Sequence, residues 1–360
     1  MFTRALLAAV WISTAASAGE TIDAWSAGEA GVKPAHLALP LEEGEFYSDR
    51  YTAEAWFKDG SRVWVSFLVS NLGPGTHKLT VKSRWYETNG KEHYLKKELD
   101  AGDYTASAEP FKVSGAGITL SGSPRAIRVV GTVDGYSYDL TFKSGLAPWR
   151  PGTGRTVFGT DTTRYLDATL VQPKAVVTGS VTKGGKTALE GFGYVTHTIA
   201  NIAPYDMQTR FIEIRSIDTD TVVWLKQFKA PEKFGGKTYG YLYVARGGEV
   251  LVASKAVNLK LENVVTDSKH PNKYKVPLLI TASGKRKGKD ITIRVEAPKI
   301  DSRDDELQSR NAFEAALIKQ YAQPVNYGMD GTVTVTVTEE GKEPVVSTAK
   351  AAFTVSHLNK

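Results

Sequence analysis

The sequence predicts an all-β chain built as two antiparallel β-barrels in tandem, with one amphipathic helix near the C-terminus. Three observations carry that prediction. First, apolar and polar residues alternate in short runs separated by Gly-, Asp- and Asn-containing turns, the period of half-buried strands. Second, the stretch VWVSFLVSNLGPGTHKLTVKSRWYE (residues 63–87) is echoed by EGFGYVTHTIANIAPYDMQTRFIEIRS (residues 190–216). Laying Asn71-Leu72-Gly73-Pro74 on Asn201-Ile202-Ala203-Pro204 sets an offset of 201 − 71 = 130, which runs without a gap from Trp64/Tyr194 to Lys96/Lys226 and suggests a repeated domain. Third, only residues 304–321 show a helical period: Leu307, Phe313, Ala316, Leu317 and Gln320 share a face, Asp304-Asp305-Glu306 suit the positive end of the helix dipole, and Pro324 follows.

Residues 1–18 combine Arg4, an apolar run from Ala5 to Ile12 and Ala16-Ser17-Ala18. That is the layout of a secretory signal cut after Ala18, and its apolar run is too short to span a bilayer. Residues 19–40 are rich in Gly, Ala and Pro without a period and read as an extended lead-in. The first barrel is expected over residues 41–170. Its opening hairpin pairs residues 51–57 with 62–70 across Asp59-Gly60, with Val63, Val65, Phe67 and Val69 on one face; a later one turns at Asp134-Gly135. The Pro/Gly-rich bridge LAPWRPGTGR, residues 146–155, then leads toward a second barrel expected over residues 171–360. Units of this length and strand number fit closed barrels better than seven-stranded sandwiches of about 100 residues. A small barrel has room for one small ligand.

Composition narrows the chemistry. With 360 residues, 41% of them hydrophobic, the chain has ample material for two cores. There is no cysteine, which excludes disulfides, thiolate metal sites and a cysteine nucleophile. The net charge of +6, or 6 − 1 = +5 without Arg4, is spread along the chain and lacks the basic-aromatic interleaving of a nucleic-acid groove. Lys285-Arg286-Lys287-Gly288-Lys289 is the densest basic run, read as a solvated turn with weak contact to an anionic membrane surface as its functional counterpart. The histidines show no metal-ligand spacing, and no nucleophile elbow, phosphate loop, dinucleotide fingerprint or zinc-protease helix is present, so neither metal nor cofactor is expected.

Gly191-x-Gly193-Tyr194-Val195-Thr196-His197, the bridge Pro148-Trp149 with Pro151-Gly152 and Gly154, the strand beginning Lys174-Ala175-Val176 and the doubled architecture together resemble the tandem lipocalin-like (calycin) family. That family includes carotenoid 1,2-hydratases, AttH-like bacterial proteins and fungal survival-factor proteins. The resemblance implies lipid- or terpenoid-like ligands. In the hydratase branch the glycine-tyrosine motif continues Asp-His-x-Trp; here Thr196 stands at the carboxylate position and Ile199 at the indole position, with His197 retained. The resulting expectation is an exported, periplasmic or secreted, binding protein for a hydrophobic small molecule. The alternative is a cofactor-free hydratase or isomerase acting on a polyene through His197. Val195, His197 and Ile199, sharing one strand face, are the expected lining of an apolar ligand cavity, and Tyr239, Tyr241 and Tyr243 on another strand are candidates for a polar-tipped aromatic wall.

Overall fold

The computed structural model describes residues 20–72, 75–218, 220–308 and 312–358; the expected signal segment lies outside them. The chain runs β1 (Ile22–Gly28), β2 (Tyr47–Phe57), β3 (Arg62–Ser70), β4 (Lys78–Tyr86), β5 (Glu92–Leu99), β6 (Thr105–Ser107), β7 (Phe111–Gly115), β8 (Ile118–Ser123), β9 (Ala126–Val133), β10 (Tyr136–Ser144), β11 (Gly154–Phe158), β12 (Tyr165–Thr182) and β13 (Lys186–Asn201). After the short helix α1 (Pro204–Met207) come β14 (Arg210–Ile217), β15 (Thr221–Lys229), β16 (Thr238–Arg246), β17 (Glu249–Ser254), β18 (Leu259–Thr266), β19 (Lys275–Arg286), β20 (Lys289–Glu296) and β21 (Ser302–Asp305), then α2 (Ala312–Lys319), β22 (Val325–Glu339) and β23 (Val345–His357). No helix among the described residues is long and apolar enough to cross a membrane.

The strands form two antiparallel sheets. The first runs β5-β4-β3-β2-β13-β12-β10-β9-β8-β7-β6, with β11 on β12 and β1 on β11; the second runs β17-β16-β15-β14-β23-β22-β20-β19-β18, with β21 on β22. In each, the last strand of the unit returns to pair with its first, β13 with β2 and β23 with β14. Each sheet then curls around its own core. The first core takes Phe67 from β3, Phe111 from β7 and Phe142 from β10, strands from opposite ends of the sheet order, which only a curled sheet brings together. The expected pair of barrels is what the chain forms. The alternation read from the sequence holds: Val63, Val65, Phe67 and Val69 all face this core.

Strand order corrects three expectations. The internal repeat is real, but its offset is not 130. The strands holding equivalent places are β3 and β15, starting 221 − 62 = 159 residues apart, and β4 and β16, starting 238 − 78 = 160 apart. The 130-residue match superimposes β3 on β13, two places away in the same sheet; antiparallel strands share one alternation, so local similarity cannot tell them apart. The second barrel accordingly begins at Arg210, whereas the boundary expected at residue 171 falls inside β12. Residues 304–321 are not one helix. Ser302–Asp305 pairs with β22, and among the described residues of this span the helix is Ala312–Lys319, because the edge of β22 offers the backbone of the acidic segment hydrogen bonds before a helix starts.

The lead-in is also more than a lead-in. Residues of β1 pair with β11, and Trp25, at a bulge where its φ is +56°, is fully buried. It sits in a third core between the barrels with Phe158, Tyr194, Trp224, Tyr239 and Tyr241. Hydrogen bonds run through it: Trp25 Nε1 donates to the Gly240 carbonyl at 2.8 Å, and Trp224 Nε1 to that of Pro173 at 3.0 Å. Farther on, the 3-10 turn Pro34–Leu37 places Leu37 in the first barrel's core.

Candidate functional site

On β13, Val195, His197 and Ile199 face the interior of the first barrel while Tyr194 faces the second, as the pleat requires. His197 is 2% exposed and stacks on Tyr51, ring centroids 4.0 Å apart and planes 9° from parallel. Its Nδ1 lies 2.7 Å from the His36 carbonyl oxygen, which fixes a proton on Nδ1. Its Nε2 lies 2.7 Å from Oδ1 of the fully buried Asp49. Burial pushes the Asp49 carboxyl up, against His197 and the Tyr47 hydroxyl, which pull it down. Both ring nitrogens are committed to protein partners, and neither is left to face a ligand. His197 ties the lead-in to β2; Tyr51, donating to the Leu37 carbonyl at 2.6 Å, adds a second tie.

The space beside His197 differs from the apolar cavity expected. It measures about 190 Å³ and is lined by His36, Glu42, Arg150, Arg155 and Asp167 besides His197 and Ile199. Arg155 grips Asp167 through two hydrogen bonds, 2.9 and 2.8 Å, and lies 3.7 Å over the Tyr165 ring, whose hydroxyl donates to Glu42 at 2.6 Å. Arg150 donates to the Glu29 carbonyl at 3.2 Å and lies 3.0 Å from His36 Nε2. Burial, then the charge of Arg150, pushes the His36 imidazole down, keeping it neutral. Charges here satisfy each other, and the volume falls short of the roughly 300 Å³ at which drug-sized sites begin.

Tyr239, Tyr241 and Tyr243 do share a face, but it is the outer face of β16, pressed onto the first barrel. Tyr241 meets Trp25 and Trp149 edge-on, at centroid distances of 5.9 and 5.6 Å, and Tyr239 donates to the Met207 carbonyl at 3.0 Å. They form the inter-barrel core and share no cavity with His197.

A larger space opens between the barrels. This cleft measures about 690 Å³. From the first barrel it is lined by Trp56 and Phe192, stacked at 5.9 Å and 25°, and by Arg62, whose guanidinium lies 5.5 Å over the Trp56 ring. From the second barrel come Arg215, Ile217 and Ala351. Beneath it lies Glu54, fully buried on the outer face of β2. Glu54 forms ion pairs with Arg62 of its own barrel and with Arg215 of the other, the latter at 3.4 Å, and accepts from the Tyr194 hydroxyl at 2.5 Å. Burial, with Glu54 adding to it and Arg215 opposing, holds the Tyr194 hydroxyl well above the usual phenol range, so it stays a donor.

With this geometry in hand, comparison with solved structures is informative. CghA, solved with Sch210972, superimposes with a TM-score of 0.57 at 11% identity over 94% of this chain and 98% of its own. This is the tandem lipocalin-like fold. Kievitone hydratase from Nectria haematococca matches at 0.53 and 13% identity, over 93% of this chain and 97% of its own, and the AttH-like NE1406 of Nitrosomonas europaea at 0.55 and 13%, over 91% and 98%. No family model matches the sequence, and no curated protein does. At these identities the likeness establishes the fold alone.

Within this tandem lipocalin-like fold, the sequence reading singled out His197 but missed Asp49, Glu54, Arg62 and Arg215. Glu54 did leave a signal: it is a carboxylate inside the otherwise apolar run Thr52–Phe57, where a charge is costly unless paired. Its partners, 8 and 161 residues away by 62 − 54 and 215 − 54, become visible only in the folded chain.

Proposed function

We propose that the protein binds a hydrophobic small molecule in the cleft between its two barrels, and that it carries or buffers this ligand as an exported protein in the periplasm or outside the cell. The observation that carries the reading is the cleft itself: about 690 Å³, within the range of small-molecule sites, with the stacked Trp56–Phe192 pair as an apolar wall and a few polar groups converging below it. Both barrel cores are built from their own packed side chains, and the cleft is roomier than the spaces of about 190 and 330 Å³ on the first barrel. The occurrence of the fold in CghA, solved with Sch210972, and in a hydratase supports a small-molecule role.

Chemistry through His197 is the second reading. Its requirement of an acid within hydrogen-bond reach is met by Asp49 at 2.7 Å. Against it stands the commitment of both imidazole nitrogens to protein partners.

The test is fluorescence titration of the mature protein with naphthylamine dyes. Saturable binding is expected, and Trp56→Ala is expected to weaken it about tenfold by removing the stacking surface. Absence of saturable binding, or a Trp56→Ala variant that binds as well as the parent, overturns the proposal.

A further inference from the structure

The polar end of the cleft has a definite construction. Arg62 and Arg215 reach it from different barrels and meet at the fully buried Glu54, and Arg215 also pairs with Glu213 at 3.9 Å. The N–H donors of two guanidiniums outnumber these acceptors, and the Nε–H of each arginine is buried without a hydrogen-bond partner. An unpaired buried donor on a charged group is costly and calls for an acceptor. Part of the guanidinium pair nonetheless stays accessible, the Arg62 side chain being 36% exposed and that of Arg215 22%. Both arginines are held by aromatic faces as well, Arg62 between Trp56 and Tyr86 and Arg215 over Tyr194 at 5.0 Å, so that little ordering is left to be done on binding. Asp218 and Asp330 line the same cleft from the second barrel; Asp330 is exposed, where solvent screens its charge.

From this we infer that the ligand is an amphipathic acid: an apolar, ring-bearing body lies against Trp56 and Phe192, and an anionic group such as a carboxylate or sulfonate is held by Arg62 and Arg215 together. The inference rests on the cleft being the binding site and adds the chemical class that it selects. A forked acceptor suits this pair because each guanidinium presents parallel N–H donors in a plane. Since one arginine belongs to each barrel, the anion also bridges the two units, and Glu54 acts as a positioning residue that spaces the pair without reaching the ligand.

A matched pair of dyes tests this: 8-anilino-1-naphthalenesulfonate, which is anionic, and N-phenyl-1-naphthylamine, which has the same aromatic body without the sulfonate. The full mature protein is expected to bind the anionic dye at least about tenfold more tightly, the value of one charge-assisted hydrogen bond. Arg215→Met is expected to bring the two affinities within about twofold by weakening the anionic dye alone. Should Arg215→Met fail to fold, Glu54→Gln supplies the complementary arm: it removes the internal competitor while keeping an acceptor for Tyr194, and anionic-dye affinity is expected to rise several-fold with the neutral dye unchanged. Equal binding of both dyes by the parent overturns the inference, as does an Arg215→Met variant that weakens both alike or a Glu54→Gln variant that leaves the anionic dye unchanged or weaker. Binding of neither dye, by contrast, overturns the cleft as a ligand site altogether.

Discussion

At the scale of single residues, His197 shows how a histidine that looks like a site residue becomes a structural one. Its stack on Tyr51 and its bonds to the His36 carbonyl and Asp49 join three segments of the first barrel. His197→Phe keeps the stack but leaves Asp49 buried without its partner, so it is expected to destabilise the protein by about 3–5 kcal/mol in urea unfolding. Adding Asp49→Leu should restore most of that loss; a cost under about 1 kcal/mol for His197→Phe would refute the strut. His357, at the end of β23, gives a pH dependence. Burial, opposed by the hydrogen bond to the Lys275 carbonyl, lowers its imidazole to about 4 from the ordinary 6.5. The unfolded chain therefore binds the extra proton first, and the stability contributed by the neutral ring is present above pH 6.5 and lost as pH falls toward 4. The gap corresponds to about 3 kcal/mol. Between pH 7 and 4, His357→Gln should lose stability less steeply than the parent in urea titrations, and parallel curves would show that the ring does not titrate in this window.

Among the elements, those with purely local causes were legible in the sequence. The β9–β10 hairpin follows from alternating residues on either side of Asp134-Gly135, whose φ values of 46° and 80° are those of a tight two-residue turn. The β2–β3 hairpin across Asp59-Gly60 likewise falls where alternation placed it. The segments misread were those whose structure is imposed by a partner. Ser302–Asp305 is acidic and favours a helix start in isolation, yet β22 holds it as a strand. Residues 22–28 have no strand period, yet β11 pairs with them and Trp25 packs into the core between the barrels. The energetic weight of that element rests on its tryptophan, which is fully buried and anchored by its Nε1. Trp25→Ala is expected to cost about 3–5 kcal/mol through the void it leaves. Denaturant midpoints measured at constant slope check this, and a loss below about 1 kcal/mol would mean that β1 only lies on the surface.

For the whole molecule, the cleft follows from how two similar barrels meet. The outer face of β16 meets β1, β11 and Trp149 through aromatic rings, β15 meets β13 through Trp224 and Tyr194, and Tyr239, Tyr241 and Tyr243 are spent on that contact rather than on a ligand. Where the faces diverge, Trp56 and Phe192 remain as a wall, with Glu54 holding an arginine from each side. By itself the sequence determined the all-β class, the doubling, most of the hairpins and the inward face of His197, because alternation and turn chemistry act over a few residues and survive in any context. Tertiary structure alone decided which strands are equivalent, where the first barrel ends, what His197 bonds to and which charges share the cleft. Those depend on pairings between β2 and β13 and on contacts between β2 and β14, segments separated by well over a hundred residues, and no local pattern encodes a register or a partner at that distance.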